Sequence, residues 1–153
     1  MIQALQDRIQ AQLPQLRLVS GTAGFAALEE APPREKLPAA YVIPLDDSAA
    51  PSGMATQVTR QRLERRISVL LMASSARDPR GEAAAEALEP LVAALRAALV
   101  GWTPALGTQP STGARLVSIE PLNLVRGGLL SMADGVMVWE DTYVAPATLS
   151  TLA

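Results

Sequence analysis

The stretch Asp78 to Trp102, DPRGEAAAEALEPLVAALRAALVGW, decides how the chain of 153 residues is read. Leu88, Leu91, Val92, Leu95, Leu99 and Trp102 recur at helical spacing and form one apolar stripe, while Glu82, Glu86, Glu89 and Arg96 fall largely away from it. Asp78 suits the N-cap, because its carboxylate can accept from free N–H groups of the first turn. Pro79 suits the first helical position, which needs no N–H, and Gly101 can close the C-terminus in the left-handed conformation. Pro90 removes one backbone bond inside the segment, which predicts a kink near Glu86 to Pro90 or two helices in series. The segment carries packing residues and no catalytic set, so it reads as scaffold for a sheet.

Working towards the N-terminus, VTRQRLERRISVLLMAS at Val58 to Ser74 is the best strand. Leu63, Ile67, Val69 and Leu71 share one face, and Leu70 and Met72 signal that the second half is covered on both faces. Before it, Asp46 to Thr56 is small and polar and reads as a mobile loop. Ala39 to Ile43, within LPAAYVIPL, reads as a short strand bracketed by Pro38 and Pro44, at an edge or strand end. GTAGFAALEEAPP is open between a loop and a short helix at Phe25 to Glu30, ended by Pro32 and Pro33, and Leu16 to Val19 suits a brief strand. Ile2, Leu5, Ile9 and Leu13 make an amphipathic N-terminal helix stopped by Pro14.

Towards the C-terminus, Trp102 to Gly113 is a Pro/Gly/Thr loop. Ala114 to Val125 suits a strand interrupted near Pro121, RGG at Arg126 to Gly128 a turn, and ADG at Ala133 to Gly135 a second turn. LLSM between the turns is open between strand and loop. VMVWEDTYV at Val136 to Val144 is the last strand, with Met137, Trp139, Asp141 and Tyr143 on one face, and a loose tail from about residue 146 is expected. The fold expected is a single α+β domain, a mostly antiparallel β-sheet with an N-terminal helix and one long helix packed on one face.

Composition narrows the chemistry. The chain has no cysteine, which excludes disulfides, thiolate catalysis and cysteine-bound zinc. It has no histidine, which removes the usual general base and the commonest metal ligand. A net charge of −2 does not suit a general nucleic-acid binder. No run approaches the roughly 18 apolar residues of a membrane span, and the N-terminus does not read as a signal peptide. Gly21 and Gly24 belong to no phosphate-loop motif, Ser74, Ser75 and Ser131 have no histidine partner, and Lys36 is the only lysine. The expectation is therefore no enzyme, no cofactor and no metal, the acids Asp46, Asp47, Glu140 and Asp141 lacking a cation-loop spacing.

The candidate functional residues are charges. Arg60, Arg62, Arg65 and Arg66 crowd one half of a strand, with Arg65 on the face opposite the other three. Two readings stand level: an edge guarded against aggregation by charge, or a protein interface in which Glu140 and Asp141 of a neighbouring subunit supply the acids; a DNA-facing lumen is a third, with less behind it. Asp46 and Asp47 join the interface set through the adjacent loop. Trp139 and Tyr143, four residues apart, suit core packing or an intersubunit anchor.

In the order of its parts the sequence resembles the phage tail terminator family. The features that carry this are the helix ending at Pro14, the LPAAYVIPL strand, the SGMAT loop leading into QRLERRISVLLMAS, the alanine-rich helix ending ALVGW, and the VMVWEDTYV strand. The resemblance implies a subunit of a homohexameric ring that caps the last ring of the tail tube, ends tail polymerisation and offers a surface for head joining. The partners implied are further copies of itself, the tail tube protein and a head-completion or connector protein. DNA enters only as a molecule passing through the lumen, and no membrane is involved. Its location would be the virion tail, assembled in the cytoplasm of a bacterial host. Another head-to-tail connector or minor tail component, and less readily a small enzyme, are the alternatives.

Overall fold

The computed structural model describes residues 1–28, 34–52, 58–74 and 82–151. Its elements run α1 (Ile2–Gln12), β1 (Leu18–Ser20), α2 (Thr22–Ala26), a 3-10 turn at Arg34–Lys36, β2 (Ala39–Ala49), β3 (Arg60–Ser74), α3 (Glu82–Leu99), β4 (Ala114–Ile119), β5 (Asn123–Ala133) and β6 (Val136–Thr151). The strands form one six-stranded sheet in the order β1-β2-β3-β6-β4, with β5 also paired to β6. Among the described residues only the β1–β2 pair is parallel. The architecture is α+β, as the sequence predicts.

Residue parity sorts the two sheet faces. Ala40 and Val42 of β2, Ile67, Val69, Leu71 and Ala73 of β3, and Met137, Tyr143 and Ala145 of β6 point to one face. There Leu5, Ile9 and Leu13 of the α1 region and Leu88, Leu91, Val92, Leu95 and Leu99 of α3 close over them. Ala39, Tyr41, Leu70, Met72 and Val136 point the other way and form a smaller cluster with Leu37. Phe25 of α2 meets Tyr41 edge-on there, at 5.8 Å between ring centres. The central half of β3 is thus buried on both faces.

The long helix runs unbroken through Pro90. Pro90 and Glu86 lie on its exposed side, so the carbonyl that loses its partner faces water. Gly101 takes the left-handed conformation, with φ of 80°, and its N–H donates to the Leu122 carbonyl, which turns the chain off the helix. Arg8 holds that end from below: its Nε donates to the Ala98 carbonyl at 3.1 Å and its guanidinium lies 5.4 Å from the Trp102 ring centre. The proposed caps at Asp78 and Pro79 and the stop at Pro32 and Pro33 fall outside the described residues.

Three expectations are corrected. The loop expected from Asp46 begins as strand: Asp46 to Ala49 continue β2 against Arg66 to Leu63, after a bulge at Leu45 that resets the register. Residues 53–56 of that loop lie outside the described set. The tail expected to be loose is strand to Thr151, because β6 pairs with β3 along the whole of β3 and with β4 on its other side. Gly127 and Gly128 do not turn the chain; they sit inside β5, opposite Asp141 and Glu140. The other expected turn is present: Asp134 and Gly135 both have positive φ, 53° and 74°, and join β5 to β6 as a tight hairpin.

Candidate functional site

The charged residues singled out by the sequence separate into an exposed ladder and a buried centre. On the ladder, cross-strand register sets Asp46 opposite Arg66 and Asp47 opposite Arg65. Arg66 grips Asp46 with two bonds, Nε to Oδ1 at 2.9 Å and Nη2 to Oδ2 at 2.7 Å. Arg65 donates from Nε to Asp47 Oδ1 at 3.0 Å on the opposite face. Arg62 pairs with Glu120 at 2.9 Å, and Arg60 lies exposed at the start of β3. The bond to Asp46, ahead of its charge, raises the Arg66 pKa above its ordinary value. Three of the four arginines therefore have their acids within the same subunit.

Within the subunit, neither Glu140 nor Asp141 is the partner of these three arginines. Glu140 accepts from the Ser68 hydroxyl at 2.8 Å on the neighbouring strand. Asp141 is 0% exposed, which removes it from any surface contact of the subunit. Its parity places it with Trp139 and Tyr143, facing α3. There Arg96 Nε donates to Oδ2 and Nη2 to Oδ1, both at 2.8 Å. Trp139 Nε1 donates to Oδ1 at 2.8 Å and the Tyr143 hydroxyl to Oδ2 at 3.1 Å. Each carboxylate oxygen accepts two bonds, and among the described residues no buried side-chain polar atom lacks a partner.

The electrostatics follow from this closure. The bond to Asp141 raises the Arg96 pKa, outweighing partial burial. Burial first, and then the adjacent carboxylate, pushes the Tyr143 phenol far above its usual value, so it remains a donor at any physiological pH. Gly127 explains itself here. A Cβ at that position would run into Arg96 Nη2 and Asp141 Oδ1, so a glycine within the strand gives the ion pair its room. Sequence reasoning missed Arg96, Gly127 and the inward turn of Asp141. An acid on the same strand face as Met137, Trp139 and Tyr143 was the available signal, since an acid there must find a cation.

What this arrangement does is hold. A saturated carboxylate has no lone pair to offer a substrate, and its role is to clamp α3 to β6. A sheet subunit with a structural ion-pair centre and a charged rim is what the geometry defines.

The chain belongs to the phage tail terminator family: the family model described as "Phage tail terminator protein" matches residues 1–150. No curated protein matches it. Among solved structures it is similar to a chain of the "Virion of native gene transfer agent (GTA) particle", with TM-score 0.53 and 19% identity over 97% of this chain and 94% of that one. At that identity the likeness concerns the fold, and it extends over nearly the full length of both chains. Family and fold together make this a structural protein of a phage-type tail, with the virion as its place. No helix among the described residues is long and apolar enough to cross a membrane.

Proposed function

We propose that this protein is a subunit of a homohexameric ring that sits on the last ring of a tail tube, stops its polymerisation and presents the surface to which the head joins. The observation that carries the reading is the family match over residues 1–150, which leaves almost none of the chain for another task. The internal chemistry supports it: among the described residues the one buried charged centre, at Asp141, is saturated and serves packing. The tail tube protein and a head-completion or connector protein are the partners, DNA passes through the lumen, and neither catalysis nor a cofactor or metal is part of the role. Assembly takes place in the bacterial cytoplasm, from a phage or prophage region.

The test is tail morphology when the protein is withheld. Electron microscopy should then show tubes of uncontrolled length without joined heads, and restoring the protein should restore both uniform length and joining. Tails of normal length without it would overturn the reading. Native mass spectrometry of the capped tail end should give six copies per ring.

A further inference from the structure

Strands left in water at a sheet edge are normally blunted by charge, proline or a bulge. The two edges of this sheet differ in that respect. On one side β2 extends beyond β1, which covers only Ala39 to Tyr41, and its uncovered part carries Pro44, the bulged Leu45, Asp46 and Asp47. On the other side β5 pairs with β6 alone among the described residues. In its eleven residues β5 has one charge, Arg126, and no proline. Val125, Leu129, Leu130 and Met132 are each about half exposed.

The apolar surface continues behind that edge. An open groove of about 450 Å³ lies between α3 and the β5–β6 hairpin, with Leu88, Val92, Leu129, Met137 and Trp139 on its walls. Leu129 belongs to both surfaces. An unpaired backbone edge joined to an apolar groove has the character of an interface core seen on an isolated subunit.

Charge selects the occupant. The only charge on β5 is positive, and the only charges on β2 are Asp46, held at both oxygens by Arg66, and Asp47, which accepts from Arg65 through Oδ1. Beside those acids Leu45 stands about half exposed, pushed out by the bulge. We propose that a second copy of this chain docks on β5 with its Pro44–Asp47 corner, setting Leu45 against the apolar strip and its acids towards Arg126. This rests on the ring reading above and names the two surfaces that would close the ring. Because they lie at opposite edges of one sheet, the contact is heterologous: every copy added leaves the same pair of surfaces for the next. A contact of β5 with β5 would be isologous and would stop at two copies.

The absence of native cysteine allows a direct test. Variants Leu45→Cys, Leu129→Cys and the double variant are concentrated and treated with a short bis-maleimide. The double variant should give a covalent ladder, a mixture of the two single variants should give linked dimers, and each single variant alone should give neither. Arg126→Glu should weaken self-association at least tenfold while circular dichroism and thermal unfolding stay close to those of the parent. Dimers from Leu129→Cys alone would overturn the proposal, as would a protein that stays monomeric at every concentration. A ring seen by native mass spectrometry without the cross-link would also overturn it, leaving β5 to a different partner. Tail-length control in the withholding experiment is judged separately, so the docking surfaces can fail while the terminator reading stands.

Discussion

Asp141 and Asp46 each accept a two-pronged guanidinium, with donor distances between 2.7 and 2.9 Å in both pairs. Geometry alone would call them equivalent. Their surroundings differ: Asp141 is fully buried beside a half-buried Arg96, whereas Asp46 and Arg66 are 44% and 49% exposed. At the buried pair, water cannot replace a missing partner, so breaking the pair is costly even though forming it brings little net gain over an apolar core. At the exposed pair, water and salt screen the attraction, and either side chain can hydrate when its partner is lost. The buried pair therefore fixes the fold of the subunit, and the exposed ladder is available to adjust what the subunit meets.

The largest effect should come from removing one side of the buried pair. Asp141→Ala would leave Arg96, Trp139 and Tyr143 without their common acceptor, and Arg96→Ala would leave a buried carboxylate without its cation. Each should cost on the order of 3–5 kcal/mol, read from urea denaturation. A loss below about 1 kcal/mol would remove the contrast with the surface pairs.

Next comes Gly127→Ala, which touches neither charge. The added Cβ must displace both the Arg96 guanidinium and the Asp141 carboxylate, and overpacking of this kind costs about 1–3 kcal/mol. Combining Gly127→Ala with Arg96→Ala should then cost less than the sum of the two single changes, because one of the two obstacles is gone. Strict additivity in that double-mutant cycle would show that the glycine serves something other than the ion pair.

Tyr143→Phe is smaller and depends on pH. At neutral pH it removes one hydrogen bond to Asp141, a loss of about 1 kcal/mol. The folded-state pKa of Tyr143 is raised above the ordinary 10.0, so its contribution is complete below that pH and is lost as pH rises towards the folded value. Burial gives Tyr41 the same sign. The parent should lose stability steeply above about pH 10, and the Phe variant less steeply, in denaturation midpoints measured across the alkaline range. Equal slopes would mean that the Tyr143 phenol is not held from ionising.

The smallest effect on the fold belongs to the ladder. Arg65→Ala should change subunit stability by less than about 1 kcal/mol. Charge reversal at Arg62 and Arg66 together should leave the subunit folded by circular dichroism and disrupt ring assembly in native mass spectrometry. Unchanged assembly would restrict these arginines to their cis partners Glu120 and Asp46.

The same contrast marks how far the sequence could be read. Elements carried by apolar periodicity were legible, namely the α1 and α3 stripes and the two-faced burial of β3, and so was the Asp134–Gly135 turn from its local turn chemistry. Elements that exist because of a partner strand were not. Asp46 to Ala49 have poor strand propensity and are held in register by Arg65 and Arg66, which a reading of β2 alone does not contain. Pro146 looked like the start of a tail, yet β3 and β4 flank that stretch and the Pro146 carbonyl accepts from Glu120 N–H at 2.8 Å. Gly127 and Gly128 carried a turn signal, and the role of Gly127 depends on Arg96, some thirty residues upstream and on a different element.

β3 and β6 form an antiparallel ladder along the whole of β3. Its register is unbroken from Arg60 opposite Ser150 to Ser74 opposite Val136, with the two strands antiparallel and no bulge between them. A load that draws β3 and β6 in opposite directions along their axes acts on all of these hydrogen bonds at once, in shear, and cannot peel them one by one. A tail end built on such a ladder would resist tension along the strands far better than a force applied across the sheet, so the direction in which a subunit is pulled would decide how readily it opens.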